Sequence, residues 1–227
     1  LAPHLGSTQI LPPEDIANLA NQTFLSMSVV AKLATDLRHL ARSEIGEIAE
    51  GLAPGQVGSS TMPQKRNPWN LEHICSLYKV LQSKLNLIQI DLISEHQRDL
   101  TNSASGRFYV EFFAVAYLMV KRLNRVLSRM EAFPENMKKH LDAAGSSIYA
   151  EAFYVLATKH GVSDAHSKIR EASREAEKAG VPLIEVALKK NLIAKDIDLK
   201  KLQTEVWRGP EKKMSAFMRL WHEKGQG

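Results

Sequence analysis

The sequence predicts an all-α protein in two parts: a region of long bundle helices over residues 1–130 and a small compact helical domain over residues 131–227. Two long apolar patterns with helical spacing flank a loop rich in glycine and proline at residues 51–67. A third such pattern follows, and no stretch alternates apolar and polar residues over a useful strand length. The boundary is set near residue 131 because Pro134 then opens shorter segments that are separated by glycines.

Composition narrows the class of protein. The chain has 227 residues, of which 44% are apolar, and no run approaches the roughly 18 apolar residues of a membrane span. A single cysteine, Cys75, excludes a disulfide within the chain. The net charge of +5 allows anionic ligands, but acidic residues are interspersed throughout, so nucleic acid is not the expected partner. We expect a cytoplasmic protein, and the first residue, Leu1, suggests part of a longer product.

Three long helices are expected. The first starts at Pro13, carries Glu14 and Asp15 in its first turn, and runs to about Ala49. The other two are marked by apolar residues three or four positions apart. These are Leu71, Ile74, Tyr78, Leu81, Leu85, Ile88 and Leu92 in the second helix, and Phe108, Phe112, Val115, Met119, Leu123, Val126 and Met130 in the third. Because the third helix is also apolar at Phe113, Ala116 and Leu127, we expect it to be buried on several sides. Three such helices imply a bundle completed by further sequence, by other subunits, or by both.

The loop over residues 51–67 has the composition of an anion site. Two hydroxyls, two cations and an amide, from Ser59, Ser60, Lys65, Arg66 and Asn67, lie just before a helix start. The free amides and the dipole of a helix N-terminus favour negative charge. A carboxylate or a phosphate is therefore the expected ligand. The loop lacks the Gly-Lys-Ser/Thr of nucleotide triphosphatases, and the eight scattered histidines predict no metal site.

The segment GSSTMPQKRNP resembles the signature loop of the fumarase and aspartase superfamily, Gly-Ser-Ser-x-Met-Pro-x-Lys-x-Asn-Pro, and matches every fixed position. Members of this superfamily are lyases that remove fumarate from a substituted succinate, without a metal or an organic cofactor. The resemblance implies that Ser59 is the general base and that Lys65 and Asn67 hold the carboxylate on which charge develops. It also implies substrate contacts from Ser60 and Arg66. The remaining implied role belongs to Glu72, which would orient a catalytic histidine of another subunit.

A second segment, QRDLTNSASGR, is similar to the stretch of the adenylosuccinate lyase family that grips the nucleotide phosphate. Arg98, Ser103 and Arg107 match its two arginines and its serine, and two guanidinium groups with a hydroxyl suit a dianionic phosphate. Ala104 and Gly106 depart from the more usual Ser and Glu. Gln9 matches a polar segment that meets the substrate before the first long helix.

The resemblance implies a homotetramer whose active sites combine segments of three subunits, with a small succinylated nucleotide as the ligand. The expected reactions are the release of fumarate from adenylosuccinate, giving AMP, and from the succinylated aminoimidazole carboxamide ribotide of purine biosynthesis. The acid histidine of the family is expected in sequence before Leu1. Residues 1–227 alone are therefore expected to be inactive, as the C-terminal portion of a carbon-nitrogen lyase.

Alternatives remain open at this point. Gln64, before the lysine of the loop, is more typical of argininosuccinate lyase. Arg98 and Arg107 could instead form ordinary ion pairs at a helix end with Asp99 and Glu111. From a different class, the chain could be a noncatalytic helical assembly module or a basic nucleic-acid binder.

Overall fold

A computed structural model describes residues 6, 10–51, 67–95, 97, 99–197, 212–215 and 219. Helices dominate this part of the chain, which confirms the all-α prediction. None of the helices within these residues is both long enough and apolar enough to cross a membrane. The internal contacts divide the chain into two compact units, 1–137 and 138–227. The functional domain boundary near residue 131 stays a prediction.

The first unit is built on three long helices, α1 (Pro13–Leu40), α2 (Trp69–Ile90) and α3 (Tyr109–Leu127), each of which contacts the other two. Apolar residues three or four positions apart form their shared core, as the sequence pattern predicts. The largest side chains that are fully buried there are Leu71, Ile74, Leu81, Ile88, Phe112 and Met119. The central helix, α2, contributes most of them, so its position fixes both of its neighbours.

The first helix ends earlier than the sequence predicts, and the expected end near Ala49 is wrong. After Leu40 the chain turns, and Gly46 accepts a backbone conformation with φ +58° that favours glycine. A two-residue strand, β1 (Ile48–Ala49), then pairs antiparallel with β2 (Glu131–Ala132). The apolar spacing runs on through this segment because Ile48 is buried in the same core, although by a strand and not by a helix.

The third helix has one face in the core and one face in solvent. A 3₁₀ turn (Ser105–Phe108) leads into it. The expectation that α3 is buried on several sides is wrong for the single chain, because large apolar residues remain exposed on its second face. These are Val110 (74% exposed), Tyr117 (68%), Val120 (45%) and Leu127 (46%). Their spacing of seven, three and seven residues is that of a helix packed along a shallow seam.

In the second part of the chain short helices follow one another, as predicted. They are α4 (Pro134–Ala144), a 3₁₀ turn (Gly145–Tyr149), α5 (Ala150–Lys159), α6 (Ala165–Ala179) and α7 (Leu183–Lys189). Gly145, Gly161 and Gly180 lie between them with positive φ, which ends each segment. The core of the second unit is separate and includes Phe153, Ile169 and Leu183.

Gly51 follows β1 and is the first residue of the signature loop. A Cβ atom at this position would lie 2.0 Å from the backbone oxygen of Arg129, far inside van der Waals contact. Only glycine lets the chain pass so close to another backbone. The start of the signature loop is therefore pressed against the segment that joins α3 to β2.

We predict that Gly51→Ala lowers the free energy of unfolding by about 1–3 kcal/mol, because backbone must move to admit the methyl group. Chemical denaturation of the protein that carries this chain measures the change. Gly106→Ala is the matched control, since a Cβ there would meet nothing within 4 Å. Equal stability of the two variants would contradict the close approach.

Candidate functional site

A cleft of about 720 Å³ lies in the first unit, where α1 ends and α2 begins. Two of the predicted site residues, Asn67 and Glu72, line it. The opposite wall comes from the last turn of α1 and the turn after it, with Arg38, His39 and Arg42. The cleft therefore combines an amide with carboxylates and cationic groups, and Arg42 in it forms an ion pair with Glu44 at 3.5 Å.

The amides at the start of α2 are already occupied. Pro68, the residue before the helix, gives no side-chain cap. Instead, the carboxylate of Glu50 accepts the N–H of Asn70 at 3.2 Å and the N–H of Leu71 at 2.8 Å. The neighbouring N–H groups of Trp69 and Glu72 donate to the backbone. The N–H groups of Asn70 and Leu71 are therefore not the free amides that the sequence suggests, while anion binding by the side chains of the loop stays a prediction.

Arg122 of α3 holds the first turn of α2 from the other side. Its Nη1 donates to Oδ1 of Asn70 at 3.0 Å, and its guanidinium carbon lies 4.9 Å from the centroid of the Trp69 ring. The His73 ring stacks on the same indole, with centroids 5.3 Å apart. Asn70 is only 8% exposed and also donates its Nδ2 to Glu50 at 2.9 Å. A continuous polar network thus joins the stem of the signature loop to α3.

At the far end of α2 a second carboxylate organises the predicted phosphate segment. Asp91, which is 5% exposed, accepts the Tyr109 hydroxyl at 2.7 Å, while its backbone oxygen accepts Nδ2 of Asn102 at 2.7 Å. Within the segment, Asp99 accepts hydrogen bonds from Thr101, which lower the pKa of its carboxyl below the ordinary value. Asn102 in the middle of this segment and Tyr109 just after it therefore both bind Asp91, the residue that follows α2.

Ser103 and Arg107 lie in this segment with exposed side chains. The carboxylate of Glu111, which the sequence offers as an ion-pair partner for Arg107, forms an ion pair with Lys84. The Nζ atom of Lys84 lies 5.6 Å from the centroid of the Phe108 ring, a cation–π contact. Phe108 directly follows Arg107. The segment therefore lies beside the C-terminal half of α2.

The two groups of candidate residues lie at opposite ends of α2. Lys84 and Asn70 are 14 residues apart in one helix. At 1.5 Å per residue, this is about 20 Å along the axis. Asn67 and Glu72 line one cleft, and Ser103 and Arg107 are exposed in one segment, but the structure does not bring the two pairs together within one chain. Six further predicted residues lie outside the described ones: Gln9, Ser59, Ser60, Lys65, Arg66 and Arg98.

Sequence reasoning missed Glu50, Asp91 and Arg122. Arg122 carried a signal, because it falls on the buried stripe of α3 beside Met119 and Val126, and a charge in that register needs a buried partner. Nothing local marks Glu50, whose partners come 20 residues later. No group of three or more metal-ligating side chains occurs among the residues that the structure describes.

Solved structures show which class of fold this is. The chain resembles the crystal structure of fumarate lyase from Mesorhizobium sp. BNC1 with a TM-score of 0.68, over 85% of this chain and 42% of that one. Sequence identity is 23%, so this likeness shows the fold alone. The chain therefore has the helical fold of that lyase.

Family models match most of the sequence. The lyase model covers residues 5–81, and the model described as adenylosuccinate lyase C-terminal covers residues 94–207. The chain therefore belongs to the adenylosuccinate lyase family. The adenylosuccinate lyase of Pyrococcus abyssi is 35% identical over 215 residues, 92% of this chain and 48% of that protein. That of Pyrococcus horikoshii is 34% identical over the same length. The chain thus spans about half the length of these relatives.

We predict that Tyr109→Phe destabilises the first unit by about 1–3 kcal/mol, because the buried carboxylate of Asp91 loses a donor. The variant should also change the response to alkali. Burial and the hydrogen bond to Asp91 raise the pKa of the Tyr109 hydroxyl above its ordinary value of 10.0. The folded protein thus holds this proton more tightly, and the associated stability is present below pH 10 and lost as the pH rises above it.

Chemical denaturation at pH 8 and above pH 10 tests both parts. Tyr154→Phe is the matched control, because Tyr154 of α5 is exposed and has no role in the proposed site or interface. If Tyr109→Phe behaves like this control at both pH values, the hydrogen bond to Asp91 does not carry the stability assigned to it.

Proposed function

We propose that this chain provides two substrate-binding segments of a lyase that eliminates fumarate from adenylosuccinate, giving AMP, and from the succinylated aminoimidazole carboxamide ribotide. The observation that carries the proposal is the complete signature GSSTMPQKRNP, whose last residues lead into a cleft lined by Asn67 and Glu72. The family match over residues 94–207 supports the choice of adenylosuccinate lyase. Gln64 favours argininosuccinate as the second candidate substrate.

In the proposed reaction, the deprotonated Oγ of Ser59 takes a proton from the carbon next to a substrate carboxylate. The electron pair moves onto that carboxylate as an aci form, which Lys65 and Asn67 stabilise. It then forms the double bond of fumarate as the carbon–nitrogen bond breaks. A histidine, expected in sequence before Leu1, gives a proton to the leaving nitrogen, and Glu72 orients a histidine from another subunit.

The other segment would hold the substrate phosphate. Arg107 and Ser103 are exposed at the far end of α2, where a guanidinium and a hydroxyl suit a phosphate dianion. Because that end lies about 20 Å from Asn70, the two segments of one chain are proposed to serve different active sites.

A homotetramer with composite sites accounts for this separation. Its subunits would meet along the exposed apolar face of α3, defined by Val110, Tyr117, Val120 and Leu127. Leu25 and Val29 of α1 leave a second apolar stripe, 58% and 68% exposed. Several large apolar residues exposed along one helix face are characteristic of interaction surfaces. A cytoplasmic location and a small nucleotide ligand, with neither a membrane nor nucleic acid as a partner, belong to the same proposal.

We predict that Ser59→Ala in the full-length protein lowers fumarate release by about 100-fold or more and leaves the oligomer intact, because only the base is removed. Absorbance at the fumarate band measures the rate, and light scattering measures the mass. Ser76→Ala, an exposed serine of α2, is the control. Adenylosuccinate and argininosuccinate are assayed in parallel to separate the two candidate substrates.

Retention of full turnover by Ser59→Ala would contradict the proposed base and favour an assembly module. Nucleic-acid binding with a steep dependence on salt would favour the basic-binder alternative. Residues 1–227 by themselves provide a further reference. We expect them to release no fumarate because they span only about half the length of the relatives, and turnover by this chain alone would overturn that expectation.

A further inference from the structure

We propose that Glu50 is a positioning residue that holds the stem of the signature loop closed and thereby sets where the catalytic groups of the loop lie. The proposal rests on the proposed function, since it concerns the same loop. Glu50 directly precedes Gly51, where the loop begins, and its carboxylate binds Asn70 and Leu71, just beyond the end of the loop. One side chain therefore bridges the two ends of a 17-residue segment, 51–67.

A carboxylate suits this position for two reasons. Each oxygen accepts a different backbone amide, Oε2 from Asn70 and Oε1 from Leu71. Negative charge at the first turn also interacts favourably with the dipole of α2. Glutamine would keep one acceptor and turn an NH₂ group toward an N–H donor. Glu50→Gln therefore removes one of the two backbone hydrogen bonds of the bridge while it preserves size and shape.

The bridge is fixed on both sides. Asn70 is buried, and its hydrogen bond from Arg122 links Glu50 to α3. On the loop side, Gly51 lies against the backbone of Arg129. Glu50 and its partners thus form a clamp, defined here as Glu50, Asn70, Leu71 and Arg122, between the exit from β1 and the start of α2.

The position of this clamp gives it a catalytic consequence. Asn67 lies only two residues before the first residue of α2 and lines the cleft together with Glu72. A shift of the helix start relative to β1 would move Asn67 directly. Misplacement of a catalytic group by about 1 Å costs on the order of 100-fold in rate. Loosening the clamp should therefore lower kcat more than it changes KM.

The test compares Glu50→Gln and Glu50→Asp with Glu135→Gln, an exposed carboxylate of α4, in the full-length protein. We expect Glu50→Gln to lower kcat by roughly 10- to 100-fold, with a smaller change in KM. Hydrogen exchange at the amides of Asn70 and Leu71 should become faster, while the oligomer is retained. Glu50→Asp keeps both oxygens and should recover part of kcat, whereas Glu135→Gln should match the wild type.

Wild-type kcat in Glu50→Gln, alongside faster exchange at Asn70 and Leu71, would overturn the inference. If Glu50→Gln does not assemble, Glu50→Asp decides: an assembled variant with faster exchange at Asn70 and Leu71 and lowered kcat supports the inference, whereas faster exchange with wild-type kcat, or loss of assembly, overturns it. Failure of the proposed function looks different. In that case the wild-type protein releases no fumarate from either succinylated substrate, although exchange at Asn70 and Leu71 still responds to Glu50→Gln.

Discussion

The constraint on which the rest of the structure depends is the rigid length of α2. The helix carries the signature loop at its N-terminal end and the predicted phosphate segment at its C-terminal end. A helix neither bends nor shortens enough to bring its own ends together. We therefore propose that a ligand that needs both segments receives them from different copies of the chain.

A carboxylate forms hydrogen bonds at each end of α2. Glu50 caps the amides at the start, and Asp91 accepts a hydroxyl at the end while its backbone oxygen accepts an amide. In each place one acidic residue joins the helix to a segment that the sequence marks as functional. Buried or half-buried carboxylates of this kind are costly unless they are fully hydrogen-bonded, and here both have donors. The contacts that cap the two ends of α2 therefore also fix where the signature loop and the predicted phosphate segment join the helix.

Features that depend on residues close together in sequence could be predicted, whereas features that depend on residues far apart in sequence could not. The stripe of α2 is local, so spacing alone identified Leu71, Ile74 and Leu81 as core residues, and they are fully buried. The end of α1 was misplaced because Ile48 obeys the same spacing while it pairs with Ala132, far along the chain. The signature motif indicated the position of Asn67 and Glu72 at one cleft, because both are close in sequence to one helix start.

Other features required the fold. The helix start of α2 looked like a free anion site because Glu50 lies 20 residues before its partner Asn70, and no local pattern reports that contact. The separation of Asn67 from Arg107 likewise depends on the antiparallel course of α3 beside α2. Sequence supplied the chemistry of both segments, whereas only the three-dimensional arrangement shows that a single chain keeps them apart.

The central claim, that the loop and the phosphate segment of one chain serve different active sites, is tested most directly by complementation. Full-length Ser59→Ala and Arg107→Ala subunits, each inactive or weak alone, are co-expressed with different tags, and the hybrid oligomers are purified. If the two residues come from different subunits, some hybrid sites contain both wild-type residues, and fumarate release from adenylosuccinate rises well above that of either parent. If the residues come from the same subunit, no site is ever complete. Hybrid oligomers that are no more active than their parents would contradict the account.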